Sequence, residues 1–164
     1  MQFSGALPVA LDFSPALPAG SEILSIEQDG KPVTYRAEVH ASDVHAVSQL
    51  KVAGRSRIAV HYRPGVAVEV VWHPLLEGDS SSNLRVLRTS YQKPRLEMLV
   101  EGRPDRSYQV RLFTPWRATE GEGVKLVSTS DHMSVVELSA PPAVRTQMDK
   151  AGYVRWTARV ELLQ

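Results

Sequence analysis

The chain has 164 residues, 43% hydrophobic and 23% charged, which is the composition of a globular protein rather than of a disordered one. Its formal net charge of +1 argues against a dedicated nucleic-acid binder, and the absence of cysteine excludes disulfides, thiolate catalysis and cysteine-bound zinc. No stretch approaches the roughly 20 apolar residues of a membrane-spanning helix. The opening MQFSGALPVALDF lacks the basic region and apolar run of a signal peptide. We therefore expect neither a membrane nor a nucleic-acid partner. The compartment stays open between the cytoplasm and, for a piece of a longer secreted protein, the cell exterior or periplasm.

The first half of the chain consists of short segments in which apolar and polar residues alternate, as in β-strands with one buried face. Asp29-Gly30 separates two of these segments and is a strong hairpin signal, because a type I′ turn needs positive φ at both central positions. In the strand before this turn, Leu24 and Ile26 share the face that is predicted to point into the core. The strands predicted in this half cover residues 7–13, 22–28, 32–39, 44–52, 57–63 and 66–72.

A stretch rich in proline, glycine and serine, 73–83, is predicted to be a loop, and the strand pattern resumes after it. The clearest segment is the C-terminal YVRWTARVELL, 153–163, in which every second residue is apolar. This alternation predicts a long strand that buries Val154, Trp156, Ala158, Val160 and Leu162. The other strands predicted here cover 84–91, 95–101, 107–114, 124–128 and 133–139, and a short helical turn is predicted within 144–150.

The predicted fold class follows from this succession of strands. No segment of ten or more residues shows the 3.6-residue period of an amphipathic helix, and strands do not alternate with helices as in a parallel sheet. About 11–12 short strands separated by turn signals are typical of an all-β protein, an antiparallel β-sandwich of immunoglobulin-like or jelly-roll-like type. We expect one sandwich unit over 1–164, the alternative being two halves, 1–74 and 83–164, joined by the serine-rich loop.

Three acidic residues are the candidates for catalysis by paired carboxylates: Glu120, Glu122 and Asp131. A glycosidase or lyase built on a sandwich can draw such a pair from any two strands. With 18 acidic residues spread over many turns, however, some proximity arises by chance. The chain has neither a Gly-x-Ser-x-Gly elbow nor a glycine-rich phosphate loop. We expect no catalytic residues in this chain.

The five histidines show no metal-binding spacing. His40 and His45 lie on either side of a turn that contains Asp43, so that they could face each other across a hairpin. Structural metal sites, however, usually have three or four converging ligands. We expect no metal and no cofactor.

The aromatic residues are the best candidates for ligand contact. Trp72, Tyr91 and Trp116 lie at predicted strand ends or out of register with the core face, as does Phe113. Exposed rings on a sheet or at a loop edge can stack on the CH groups of sugars. The alternative is that Trp72 and Trp116 close the ends of the core.

Arginines are frequent in the second half of the chain and could form a basic stripe on the exposed face of its sheet. Such a stripe would suit an anionic glycan or a nucleic acid. The alternative is a solvated face on which arginines alternate with Glu97, Glu101 and Glu161. The arginines concerned are Arg85, Arg88, Arg95, Arg106, Arg111, Arg155 and Arg159.

Four segments that together cover most of the chain carry a resemblance to a known group of proteins. They are LDFSPALPAGSEILSIEQDGKPVTYRAEV, HYRPGVAV, SSNLRVLRTSY and EGRPDRSYQVRLFTPW. They resemble the C-terminal β-sandwich regions appended to large bacterial glycoside-hydrolase-like and uncharacterised proteins. The matching features are a GKPVxY hairpin and a YxVRLxTPW strand, and no catalytic residue comes with them. The resemblance implies a non-catalytic accessory module whose partners are a glycan or an adjoining catalytic domain.

Two other functions remain open at this point. The first is a structural or protein-interaction module that docks through a sheet edge. The second is a small sandwich glycosidase or lyase that uses the paired carboxylates. Because sandwiches host many functions, the fold alone does not rank the three.

Overall fold

The computed structural model describes residues 7–72, 74, 77 and 83–163. In these residues the chain forms fifteen strands and a single 3₁₀ turn, Pro142–Val144, and it contains no α-helix. Every strand pairing there is antiparallel. Within that part of the chain, no helix has the length and hydrophobicity to cross a membrane. The predicted all-β, antiparallel class is therefore confirmed. The strands outnumber the prediction because several contain only two to four residues.

The chain divides into two compact units between Gly65 and Val66. The strand Ala67–Val70 pairs with a strand of the second unit, although the predicted first half extended to residue 74. Most of the serine-rich loop lies outside the described residues. A single sandwich unit over 1–164 stays a prediction.

The first unit contains two antiparallel sheets. Its strands are β1 Val9–Phe13, β2 Ala16–Pro18, β3 Glu22–Gln28, β4 Lys31–Val33, β5 Arg36–Val39, β6 Asp43–Val52 and β7 Ile58–Arg63. In one sheet, the long strand β6 pairs with β1 along its C-terminal half and with β2 and β5 along its N-terminal half. In the other, β3 lies between β4 and β7. Every second residue of β6, from Val44 to Val52, is buried, which is the pattern of a strand with one face in a core.

The single strand predicted at 32–39 is in fact two strands that belong to different sheets. β4 pairs with β3, and β5 pairs with β6. Side chains hold the crossing between them, since the Ser48 hydroxyl donates a hydrogen bond of 2.8 Å to the Thr34 carbonyl. The Tyr35 hydroxyl donates a bond of 3.1 Å to the Ile23 carbonyl. The chain therefore changes sheets at Thr34-Tyr35.

The prediction that Leu24 and Ile26 share the core face is wrong for Leu24. Ile26 is only 1% exposed, whereas Leu24 is 48% exposed. The pairing of β3 with β7 shifts between Ile23 and Ser25, so that Leu24 is the extra residue of a β-bulge. A bulge inserts one residue and breaks the alternation of faces, which turns Leu24 out of the core.

The second unit contains two four-stranded sheets. Its strands are β8 Ala67–Val70, β9 Arg85–Gln92, β10 Arg95–Gly102, β11 Ser107–Phe113, β12 Arg117–Ala118, β13 Val124–Ser130, β14 Met133–Ser139 and β15 Val154–Leu163. Sheet A has the order β12-β15-β10-β9, and sheet B the order β13-β14-β11-β8. Each sheet buries one face, for example through Leu96 and Met98 of sheet A and through Val110 and Val136 of sheet B. The two buried faces form the core of an antiparallel β-sandwich.

The C-terminal strand β15 lies inside sheet A, between β10 and β12. Its burial alternates over all ten residues, and the five residues predicted to point inward are buried. The prediction for this strand is therefore confirmed, including the place of Trp156 in the core. The predicted helical turn within 144–150 forms slightly earlier, as the 3₁₀ turn Pro142–Val144.

Candidate functional site

Tyr91 and Trp116, two of the three predicted contact residues, stack on each other. Their ring centroids are 5.1 Å apart and the ring planes differ by 15°. Tyr91 lies directly opposite the fully buried Leu96 in the β9–β10 pair, and residues in such a pair point to the same face. Trp116 lies two residues before Ala118, and Ala118 is buried and pairs with Leu162. The stacked rings therefore lie on the core side of sheet A, where they close one end of the sandwich.

The hydroxyl of Tyr91 is buried and has no hydrogen-bond partner in the described part of the chain. This burial raises the pKa of Tyr91 above its ordinary value, because the charged phenolate loses the solvation of water. One face of each ring is occupied by its partner. The pair is therefore less open to a sugar than two separate rings would be.

Trp72 lies apart from this pair. It follows β8 by two residues and is 64% exposed. Because Val70 pairs with Val110 and Ala67 with Phe113, Trp72 lies towards the Ser107 end of β11. Trp116 follows the opposite end of that strand. At about 3.3 Å per residue, β11 is roughly 20 Å long, and the two tryptophans lie near its opposite ends.

Of the three candidate catalytic carboxylates, Glu120 and Glu122 lie together, but Asp131 does not converge with them. Glu120 and Glu122 precede β13, whereas Asp131 follows it, so that a strand of seven residues separates them. This corresponds to roughly 20 Å, more than the ~5–9.5 Å between the carboxylates of a glycosidase. Glu120 accepts a hydrogen bond of 3.1 Å at Oε1 from the backbone N–H of Leu126. That bond gives Glu120 a structural role at the start of the β13–β14 hairpin.

His40 and His45 do meet across their turn. Their ring centroids are 5.6 Å apart in an edge-to-face arrangement, and Nε2 of His45 lies 3.5 Å from Oδ1 of Asp43. No group of three or more potential metal ligands is found in the residues that the structure describes.

The outward face of sheet A carries most of the arginines singled out in the sequence, and there they alternate with acids. Nε of Arg159 lies 3.0 Å from Oε1 of Glu97, and Arg95 lies 3.9 Å from Glu161. Each pair joins directly opposite residues of β10 and β15. Arg111 belongs to sheet B, where it pairs with Glu69 at 3.2 Å. Arginines and acids are therefore interleaved on this face, and they do not form an uninterrupted basic stripe.

A groove of about 470 Å³ crosses one end of this face. Its floor contains Glu97, Thr157 and Arg159, and its wall is the segment 120–122. A second depression of about 350 Å³ adjoins it along Ser90 and 92–94 and shares Arg95 and Glu97. Nothing in the sequence pattern indicated this groove. Alternation predicts which residues point outward, but not that a loop after β12 closes over them.

Comparison of the chain with protein-family models, with curated proteins and with solved structures finds no match. The function must therefore be inferred from the chain's own residues.

Proposed function

We propose that this chain is a non-catalytic accessory module of a carbohydrate-active protein and that it contacts glycan through Trp72. The exposure of that indole is the observation that carries the proposal. Trp72 is 64% exposed, although tryptophan has the largest apolar side chain. The flat apolar face of an indole can pack on the CH groups of a sugar ring, while its N–H can donate a hydrogen bond. The polar groove on sheet A supports the proposal, because its hydroxyl, carboxylate and guanidinium groups match the hydroxyls of a sugar.

The two alternative functions receive less support from the geometry. A catalytic pair that includes Asp131 would have to span the length of β13. Docking through a sheet edge is disfavoured at β9 and β13, because each carries a β-bulge at an apolar residue, Leu87 and Val127. Bulges hinder the addition of a further strand to an edge.

The experiment that tests the proposal is a titration of tryptophan fluorescence with a panel of soluble plant and bacterial polysaccharides. We expect a saturable spectral change with one class of polysaccharide. Calorimetry with the same polysaccharide then compares the wild type with Trp72→Ala, which removes the reporter ring. An aromatic contact contributes about 0.5–1.5 kcal/mol, so that the affinity should fall roughly 2- to 13-fold.

Phe113→Ala provides the matched control, because Phe113 is also an exposed aromatic residue of the second unit. It should bind like the wild type, and both variants should keep the wild-type melting temperature. A flat response across the panel, or equal affinities for Trp72→Ala and the wild type, would overturn the proposal. If a protein partner then raises the melting temperature and the polysaccharides do not, the docking function is favoured.

A further inference from the structure

Glu101 is a buried acid on the outward face of sheet A, at the end away from the groove. Its side chain is only 9% exposed. Arg85 on β9 and Arg155 on β15 lie directly opposite it. Oε1 accepts from Nη1 of Arg85 at 3.2 Å, and Oε2 accepts from Nε of Arg155 at 2.7 Å. One carboxylate therefore holds two guanidinium groups at fixed positions.

Both arginines keep most of their hydrogen-bonding capacity at the surface. Their side chains are 60% and 68% exposed, and each bond to Glu101 uses a single nitrogen. A guanidinium has five N–H donors in a planar fork. The donors that do not bind Glu101 can therefore reach a ligand in the solvent, while the buried carboxylate limits the motion of the side chains.

A third guanidinium, that of Arg103, lies near Arg85 because both contact the ring of Tyr153. The guanidinium carbon of Arg103 lies 5.0 Å from the centroid of the Tyr153 ring, and that of Arg85 lies 5.7 Å from it. Both distances are within the range of cation–π attraction. The backbone N–H of Arg103 donates to the Tyr108 hydroxyl at 2.7 Å, which fixes the base of its side chain. We name Arg85, Arg103 and Arg155 the arginine cluster.

The cluster has an excess of positive charge. Arg85 and Arg155 share the carboxylate of Glu101, and Arg155 also lowers the pKa of Asp149, after the larger effect of the backbone hydrogen bond from Tyr153. Three positive charges against two negative charges leave an excess of one. Arg88, which lies opposite Leu99 on the same face, raises this excess to two.

We propose that the arginine cluster is the anion subsite of the module, and that it takes the carboxylate or sulfate group of an acidic polysaccharide. Planar guanidinium forks match both of these groups through paired hydrogen bonds. The inference rests on the proposed function and names the class of glycan. A nucleic acid fits less well, because Glu97 lies four residues from Glu101 along β10, roughly 13 Å away, on the same face. A continuous chain of phosphates would meet that acid and Glu161 beyond the cluster.

The test measures binding of the full chain to polygalacturonate, dextran sulfate, neutral dextran and single-stranded poly(dT), each at low and at high salt. We expect polygalacturonate or dextran sulfate to bind about tenfold more tightly than dextran at low salt, and this advantage to shrink with salt. The first two polymers distinguish a carboxylate from a sulfate ligand.

Two variants keep the test independent of folding. Arg103→Gln removes a cation without taking a partner from Glu101, and Arg155→Lys keeps the charge but loses the planar fork. Each should weaken binding of the acidic polysaccharide about fivefold or more at an unchanged melting temperature. The control is Arg111→Gln on sheet B, whose arginine is also exposed and ion-paired. It should bind like the wild type.

The outcomes separate this inference from the proposed function. Variants of the cluster that bind acidic polysaccharide like the wild type overturn the inference, and so does poly(dT) binding as tight as that of the acidic glycans. If Trp72→Ala still weakens glycan binding in that case, the proposed function survives. Loss of acidic-glycan binding in the cluster variants alone would support the subsite and remove the role of Trp72.

Discussion

The hydroxyl of Tyr108 accepts a hydrogen bond of 2.7 Å from the backbone N–H of Arg103. The two residues lie at the connection between β10 of sheet A and β11 of sheet B, so that this bond links the two sheets where the chain crosses between them. The Tyr108 ring packs on Gly102, where an added Cβ would lie 2.8 Å from Cε2 of the ring. The arrangement is similar to the tyrosine corner of Greek-key sandwiches, in which a tyrosine near the start of a strand bonds the backbone a few residues upstream.

Replacing Tyr108 by Phe should destabilise the second unit. The ring would keep its packing, but the backbone N–H of Arg103 would lose its acceptor in a partly buried corner. We expect a loss of about 1–2 kcal/mol in the free energy of unfolding, measured by urea denaturation. Tyr62→Phe is the control, because Tyr62 is exposed and should change stability by less than about 0.5 kcal/mol. Equal stabilities of the two variants would show that the corner bond contributes nothing.

Alkaline pH should weaken the same corner. Burial is the main cause that raises the pKa of Tyr108 above 10.0, and it raises the pKa of Tyr91 as well. A raised pKa means that the folded state holds the proton more tightly than the unfolded state. The associated stability is complete below about pH 10 and is lost as the pH rises through the folded-state pKa.

Absorbance of phenolate between pH 9 and 12 measures this effect. Tyr91 and Tyr108 should titrate above the ordinary tyrosine pKa of 10.0, and thermal stability should fall in the same range. Tyr108→Phe should remove one of the two late titrations. Titration of Tyr91 and Tyr108 at the ordinary tyrosine pKa would contradict the prediction.

Tyr91→Phe should change the free energy of unfolding in the opposite direction from Tyr108→Phe. The Tyr91 hydroxyl is buried without a partner in the described residues, so that removing it eliminates a desolvation cost while the ring stays stacked on Trp116. We expect stability to be unchanged or to rise by up to about 1 kcal/mol. Tyr91→Ala, which removes the stacked ring, should instead destabilise and shift the Trp116 fluorescence. A loss above 1 kcal/mol in the Phe variant would reveal a bound partner, such as a water molecule, at the hydroxyl.

The alternation of apolar residues was sufficient to predict β15 and the fold class, because that period depends only on neighbouring residues. The pairs that build the candidate sites depend on distant residues. Glu101 and Arg155 are 54 positions apart in the sequence, and they meet only because β10 and β15 pair in one particular register. The stacking of Tyr91 on Trp116 likewise requires β9 and β12 to belong to the same sheet. Alternation predicted that Glu101 and Arg155 point outward, but not that they would meet.

Leu24 shows the other limit of alternation. The segment EILSIEQ keeps a period of two, and nothing in it marks the extra residue of a bulge. The bulge is a property of the pairing with β7, which supplies one residue fewer than β3 over the same length. The change of sheets at Thr34-Tyr35 was missed for the same reason, because the alternation continues through it.

The bulge predicts that alanine substitutions at Leu24 and Ile26 of β3 differ in their effect on the free energy of unfolding. Ile26→Ala should cost about 2–5 kcal/mol, because it leaves a cavity in the core of the first unit. Leu24→Ala should change stability by less than about 0.5 kcal/mol, since its side chain is half exposed. Urea denaturation of both variants measures the difference. Similar losses would mean that Leu24 points into the core, as alternation alone predicts.

Gly65 is required by a close approach of two backbone segments in the first unit. A Cβ at this position would overlap the carbonyl oxygen of Ala19 and lie 2.6 Å from the backbone carbon of Gly20. Its N–H also donates a buried hydrogen bond of 3.1 Å to the Ser21 hydroxyl. The atoms that an alanine would meet belong to the backbone, and they cannot turn away as the end of a side chain can.

Gly65→Ala should therefore cost about 3 kcal/mol or more, at or above the usual cost of overpacking. Gly54→Ala is the matched control, since a Cβ there meets no atom within 4 Å and the only penalty arises from its φ of +63°. That penalty should be about 1 kcal/mol. Thermal and urea denaturation measure the stability of both variants. The difference between them compares the cost of steric overlap at Gly65 with the cost of conformational strain at Gly54. A Gly65→Ala protein as stable as Gly54→Ala would show that the segment 19–21 can move away, and that the close approach at Gly65 is not needed for the fold.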